Sequence, residues 1–302
     1  MSQDSLPPTD PPEQRTVPYG QERRLQFIEY RLRWEGRINR TDLTDHFGLS
    51  IPQASLDVAK YTELAPGNLE YDRSSKAYLV TSQFKPIFES SSARRYLADL
   101  LALKIGIIAR ESSFAGSPPE MDWAPAPWRM MDDQTVEALV RAIHKRLAVR
   151  VCYQSMSSAA QPERLLSPHA LGYDGFRWHV RAFCHKRQDF ADFVLGRILS
   201  INGFEDSSVD AKDDLHWQTI LTLVLAPRPD LPPGKRRVLE LDYGMEDGQV
   251  ELPCRQAFLF YTLRRLGLQA DVADPAEQQI ILKNRAAVQP YIDALTRRNK
   301  ET

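Results

Sequence analysis

The chain has 302 residues, room for about two domains, or three small ones, at roughly 150 residues each. Apolar residues make up 42% and charged residues 26%, a globular balance that excludes wholesale disorder, collagen and low-complexity classes. Lys and Arg total 39 against 40 Asp and Glu, so a uniformly basic nucleic-acid binder is excluded while a local basic surface is not.

Residues 1–17 carry Pro7, Pro8, Pro11 and Pro12 with almost no apolar content, which predicts a disordered arm. From Gln21 the pattern turns helical: Leu25, Ile28 and Leu32 recur at helix spacing, flanked by Phe27 and Trp34, until Gly36. Asn39 is a good cap for a second helix that buries Leu43 and Phe47 and stops at Gly48. Ser50 caps a third, with Pro52 in its first turn, running to Leu64 before Pro66-Gly67. Three short helices with a glycine turn between the last two make a helix-turn-helix. Strands over Leu69–Tyr71 and Ala77–Thr81, joined by Asp72-Arg73-Ser74-Ser75-Lys76, add a basic wing, which completes a domain over 18–88.

A helix is expected from Ser92 to Arg110, then a Pro- and Gly-rich loop from Ser112 to Met131, then a helix capped by Asp132 or Asp133 and reaching Leu147. These make a helical linker over 89–147. Strands follow at Val149–Gln154, Leu165–Tyr173, Arg177–Cys184 and Asp192–Phe204, a small sheet or partly open barrel over 148–206. After an acidic linker, 215–302 reads as an α+β tail: strands at Trp217–Leu225, Val238–Tyr243 and Gln278–Leu282, helices at Gln256–Leu266 and Val288–Arg298. Cys152, Cys184 and Cys254 are scattered, so neither disulfide framework nor zinc site is encoded, and no cofactor or metal is expected. The run Leu97–Ala109 contains Asp99 and Lys104 and is too short to span a bilayer, and the N-terminus lacks a signal-peptide pattern. A cytoplasmic protein with no membrane partner is expected.

Two residue sets carry chemistry. On the third helix Ala54, Val58 and Tyr61 fall on one face, which turns Gln53, Ser55, Leu56 and Lys60 to the other. Gln53 can read adenine, Ser50 and Ser55 can reach a base or phosphate, and Leu56 either meets a thymine methyl or turns inward. Arg40, Lys60, Arg73 and Lys76 would hold phosphates of double-stranded DNA and fix register. The second set lies on the middle strands: Tyr153, Arg164, His169, Trp178, His179, Arg181, Arg187 and Arg197. Strand alternation puts His179 and Arg181 on one face as an open polar pair, with Trp178 packing on the other. Guanidinium and imidazole groups beside aromatic rings suit a phosphate or a stacked base.

The segments Arg164-Leu-Leu-Ser-Pro-His169, Gly175-Phe-Arg-Trp178-His-Val180-Arg181 and Phe193-Val-Leu-Gly-Arg197-Ile resemble the signature of WYL-domain transcriptional regulators, with Trp178-His179-Val180 standing where the family has Trp-Tyr-Leu. Ser50-Ile-Pro-Gln-Ala-Ser55-Leu-Asp-Val-Ala-Lys-Tyr61 and Leu64-Ala-Pro66 are similar to the branch that controls bacterial anti-phage defence operons. The resemblance implies an α+β multidomain chain with an N-terminal winged helix-turn-helix, a central Sm-like β-barrel WYL domain and a C-terminal α/β extension used in dimerisation. It further implies a homodimeric repressor on an inverted-repeat operator, released when a nucleic-acid or nucleotide effector binds the WYL domain. The competing readings are a phosphodiesterase or nuclease built on His169, His179 and the arginines, and a nucleic-acid-sensing module acting through a protein partner. The first lacks an acid/base pair or carboxylate cluster at clear spacing.

Overall fold

The computed structural model describes residues 19–125, 127, 129–156, 162–270, 272 and 274–300. The arm expected over 1–17 lies outside them. The chain divides into two compact units, Met1–Ala126 and Pro127–Thr302.

In the first unit α1 (Tyr19–Glu35) ends at Gly36, whose φ of 74° is a left-handed conformation that favours glycine. β1 (Arg37–Ile38) leads into α2 (Arg40–Phe47). Asn39 and Asp42 close a reciprocal capping box over α2: the Asp42 amide donates to Asn39 Oδ1 at 2.9 Å and the Asn39 amide to Asp42 Oδ2 at 2.7 Å. Ser50 caps α3 (Ile51–Leu64), and β2 (Leu69–Asp72) and β3 (Ala77–Val80) form the wing. β1, too short to show alternation in sequence, joins the wing as a third antiparallel strand in the order β1-β3-β2. Leu25, Ile28 and Leu32 of α1 pack against Ile38, Leu43, Ala54, Val58 and Tyr61. The next helix, α4 (Ala93–Lys104), is shorter than its sequence pattern because the chain turns at Gly106, at φ 74°. The long loop beyond it returns to the core, where the Phe114 ring meets Phe27 edge-on at 5.3 Å.

Glu29 of α1 is fully buried and accepts from Tyr61 Oη at 3.2 Å, the Ile87 and Phe88 amides at 2.7 and 2.9 Å, and Ser91 Oγ at 2.8 Å. One carboxylate thus ties α1, α3 and the segment after the wing together.

The second unit opens with α5 (Asp133–Lys145), which packs on an antiparallel sheet of β4 (Leu147–Tyr153), β5 (Glu163–Tyr173), β6 (Trp178–Cys184), β7 (Asp189–Val194) and β8 (Ile198–Asp206). The strand order is β7-β6-β5-β4-β8, with irregular register in β4–β8 and β5–β6, and no closed barrel is formed among the described residues. A single strand was expected over Asp192–Phe204; a 3₁₀ turn at Leu195–Arg197 splits it into β7 and β8. The tail holds α6 (Leu215–Gln218), β9 (Ile220–Pro227), α7 (Pro233–Asp242), β10 (Val250–Arg255), α8 (Leu259–Arg265), β11 (Ile280–Leu282) and α9 (Arg285–Lys300), with β9 central in the order β10-β9-β11.

The tail differs from its sequence pattern in three places. Of the segment Val238–Tyr243, expected as a strand, Val238–Asp242 is helical and Tyr243 caps the helix, because Pro232-Pro233 starts a helix that buries Leu239 on one side. β10 is a strand additional to those expected from the sequence, and as an edge strand it tolerates Pro253. In addition, Asp214 caps a helical turn over Leu215–Gln218, so the strand expected from Trp217 starts at Ile220.

Replacing Glu29 by Ala strands four donors, two of them the buried hydroxyls of Tyr61 and Ser91, and should destabilise the first unit by about 3 kcal/mol. Urea denaturation should show a clear fall in its midpoint, and an unchanged midpoint would contradict the bracing role.

Candidate functional site

The first site is the exposed side of α3 with the wing. Asp57, in the middle of α3, is fully buried and accepts from Arg24 Nε at 2.6 Å and Arg24 Nη2 at 3.1 Å, which anchors α3 to α1. It also accepts from Gln53 Nε2 at 3.2 Å, so the Gln53 amide is oriented from within the helix while its oxygen keeps acceptor capacity. Ser50 Oγ caps the Gln53 amide and Ser55 Oγ donates to the Ile51 carbonyl at 3.0 Å. Leu56 does not turn inward: it is 63% exposed, beside exposed Ile51 and Pro52. Lys60 pairs with Glu63 at 3.1 Å.

Arg40 donates to Tyr78 Oη at 2.9 Å and lies over the Tyr71 and Tyr78 rings, so its cation is held against the wing. At the wing tip Asp72 accepts from the hydroxyls of Ser75 and Ser74 and from both amides, which holds its carboxyl well below the usual range. Arg73 and Lys76 project from this tied-down turn, both exposed and making no ion pair among the described residues.

The second set has a different fate. His179 and Arg181 were expected to share an open face with Trp178 packed behind; instead they are 2% and 4% exposed while Trp178 is 42% exposed. The reason is that the linker and α8 cover this face of β6. Arg181 Nε and Nη2 donate to Asp214 at 2.7 and 2.9 Å and its Nη1 to Asp192 at 3.1 Å. His169 Nε2 donates to the same Asp214 at 3.0 Å, and the Trp217 amide does so at 3.2 Å. Burial alone would raise the Asp214 pKa, but these partners, Arg181 foremost, hold it well below the ordinary value. Tyr261 of α8 donates to Asp192 at 3.3 Å and sits over the His179 ring, with centroids 5.0 Å apart.

Of the remaining candidates, Tyr153 is buried, and its hydroxyl accepts the Val194 amide at 3.3 Å. Arg164 is buried in β5, and its Nε has no partner among the described residues. Arg187 is exposed between β6 and β7. Arg197 lies in the 3₁₀ turn before β8, where its carbonyl accepts the Gln154 amide at 3.0 Å.

Between β5 and β6 the turn is organised by Asp174, which accepts the Phe176 and Arg177 amides at 2.8 and 2.9 Å, Arg177 Nε at 3.2 Å and His179 Nε2 at 3.0 Å. Burial works against ionisation here, yet these hydrogen bonds, His179 foremost, bring its pKa down to about 2. Pairing of the arginines with Asp189 or Asp192 is the alternative the sequence offers, and Arg181 does pair with Asp192, but sequence spacing gave no sign of Asp174, Asp214 or Tyr261 as partners. Asp57 had one faint signal, its i+4 relation to Gln53.

A carboxyl with a depressed pKa stabilises the fold above its unfolded pKa, and that contribution is lost as pH falls through the folded value. Asp174→Asn should therefore be less stable at pH 7, by on the order of 2 kcal/mol, with the gap to wild type closing between about pH 4 and 2. Urea titrations across that range test this; a gap that stays constant would contradict it.

Residues 20–102 match the family described as the BrxR transcriptional regulator winged helix-turn-helix domain, 134–202 the WYL domain, and 220–288 the BrxR transcriptional regulator C-terminal dimerization domain. Over its length the chain is 46% identical to the DNA-binding transcriptional repressor CapW of Stenotrophomonas maltophilia, covering 91% of this chain and 93% of that protein. It is 45% identical to the CapW repressor of Escherichia coli strain KTE188, over 88% of this chain and 90% of that one. It is 43% identical to the CapW repressor of Pseudomonas aeruginosa, over 97% of this chain and 99% of that one. With three domains matched in order and relatives aligned nearly end to end, the chain belongs to the CapW and BrxR family of WYL-domain transcriptional regulators, not to an enzyme family.

Proposed function

We propose that this protein is a homodimeric repressor that occupies an inverted-repeat operator of an anti-phage defence operon and leaves it when its WYL domain binds a nucleic-acid or nucleotide signal. The relatives' names as DNA-binding repressors support the first part, and the match to a dimerization domain supports the second copy. A helix, then five strands in the order β7-β6-β5-β4-β8, supports reading the WYL sheet as an open, Sm-like barrel.

The observation that carries the DNA-binding reading is the state of α3. Its inner face is locked by Ala54, Val58, Tyr61 and the Asp57–Arg24 pair, while in its N-terminal half Leu56 is exposed and Gln53 and Ser55 are partly so, and the wing of the same domain carries two cations, Arg73 and Lys76, that make no ion pair among the described residues. Amide, hydroxyl and aliphatic groups at the start of such a helix match base edges in a major groove, and the wing cations match phosphates. Two copies of α3 would read half-sites about 34–36 Å apart or a multiple of that. An effector shifts operator occupancy only by binding the arrangement that fails to fit DNA better than the one that fits.

Gln53→Ala and Ser55→Ala should each weaken operator binding by about 1–3 kcal/mol while leaving a scrambled duplex nearly unaffected. Electrophoretic shifts on both duplexes decide it, since equal loss on both would remove the base-reading role. Neutralising Arg73 or Lys76 should instead weaken binding to every sequence and lower the slope of log affinity against log salt by about 1. An unchanged slope would mean that the wing makes no phosphate contact.

A further inference from the structure

His169, His179 and Arg181 of the WYL sheet, which suit an anion by their chemistry, are already engaged by protein carboxylates. The unspent cations lie next door. A cleft of about 460 Å³ opens between the β5–β6 turn and α8, lined by Arg129, Arg177, Arg264 and Arg265, with Asp174, Phe176 and Tyr261. That size is typical of sites for small ligands, roughly 300–1,000 Å³. Four guanidiniums face one carboxylate, and Asp174 is already engaged by His179, by Arg177 and by two backbone amides. The Tyr261 hydroxyl is likewise taken, by Asp192. Arg129, Arg264 and Arg265 are exposed and make no ion pair among the described residues.

The cleft is shaped, not incidental. Gly175, at φ 97°, lets the Arg265 guanidinium lie against the turn, since a Cβ there would stand 2.9 Å from Arg265 Nη1. The Asp174 hydrogen bonds fix the same turn and leave the Phe176 ring 68% exposed at the rim. Gathered guanidiniums repel one another until an anion enters, and their planar forks suit phosphate oxygens, two bonds at a time. An aromatic ring beside them offers a stacking surface for a planar base.

We propose that this cleft, and not the interior of the WYL sheet, is where the effector docks: it takes a nucleotide unit, with phosphate on Arg264, Arg265, Arg129 and Arg177 and the base on Phe176. This rests on the reading that the protein responds to a nucleic-acid or nucleotide signal. It also locates the response, because Tyr261 lines the cleft and links α8 to Asp192 and His179 of the sheet, so an occupied cleft bears on the joint between the WYL and C-terminal domains.

The test uses the full chain and fluorescence anisotropy with a short labelled oligothymidylate, competed by a mononucleotide, inorganic phosphate and an acidic peptide. Wild type should bind the oligonucleotide. Arg264→Glu and Arg265→Glu should each weaken it about tenfold or more, with Arg264→Gln as a milder check on folding. Phe176→Ala should weaken the oligonucleotide and the mononucleotide without changing phosphate competition. Lys235→Glu, at an exposed cation outside the cleft, should leave binding unchanged. Competition by the mononucleotide as strong as by unlabelled oligonucleotide assigns a single nucleotide; stronger competition by the oligonucleotide assigns a chain.

No binding of any phosphate probe by wild type, normal binding by Arg264→Glu, loss on Lys235→Glu in its place, or stronger competition by the acidic peptide would each overturn the proposal. Operator release, read separately on a labelled promoter duplex, keeps the two ideas apart. Cleft-dependent binding without release leaves the site standing and removes the effector role; release that persists in Arg264→Glu does the reverse.

Discussion

A guanidinium taken almost wholly out of water is tolerable only against carboxylates, and in the second unit that constraint falls on Arg181. Asp214 and Asp192 answer it from two directions, one from the linker that enters the tail, the other from the neighbouring strand β7. Much else follows from Asp214. It also accepts from His169, it caps α6, and it fixes where β9 begins. Asp192 carries the same link onward to Tyr261 on α8. The WYL sheet and the C-terminal domain are therefore joined by a chain of charged hydrogen bonds and not by apolar packing alone.

This arrangement separates two roles that a signature motif merges. His169, His179 and Arg181 look like ligand contacts in the sequence and serve as interior struts in the fold. Arg264 and Arg265 of α8, which belong to no recognisable motif, face the open cleft together with Arg177 of the β5–β6 turn. The winged helix is built on the same principle. Buried Asp57 and Glu29 hold α3 from behind through Arg24 and Tyr61, so that the residues on its outer side are presented on a rigid support.

The winged helix was legible in the sequence almost to the residue because its signals are local. Asn39 and Ser50 announce their caps, Gly36 and Gly48 end their helices, and the apolar spacing of Leu25, Ile28 and Leu32 names the buried face. The strands of the WYL sheet were legible too, apart from the 3₁₀ turn that divides β7 from β8. What alternation could not give is burial on both faces of β6: a period of two marks sides, and only the distant Asp214 and Tyr261 decide that the polar side is covered. In the tail, propensity misled at Val238–Tyr243, where the nearby Pro232-Pro233 starts a helix, and the edge strand β10 depends on β9 for its pairing. Hence the DNA-facing candidates could be chosen from sequence, whereas the cationic cleft, drawn from residues as distant as Arg129 and Arg265, emerged only with the fold.

The central claim is that this family member acts by selective occupation of DNA through paired α3 helices. Footprinting of the wild-type protein on the DNA upstream of its own gene tests it most directly. The account predicts two protected half-sites related by an inverted repeat, their centres about 10 base pairs or a multiple of that apart, on one face of the duplex. Uniform protection without sequence preference, or protection of a single unrepeated site, would contradict it.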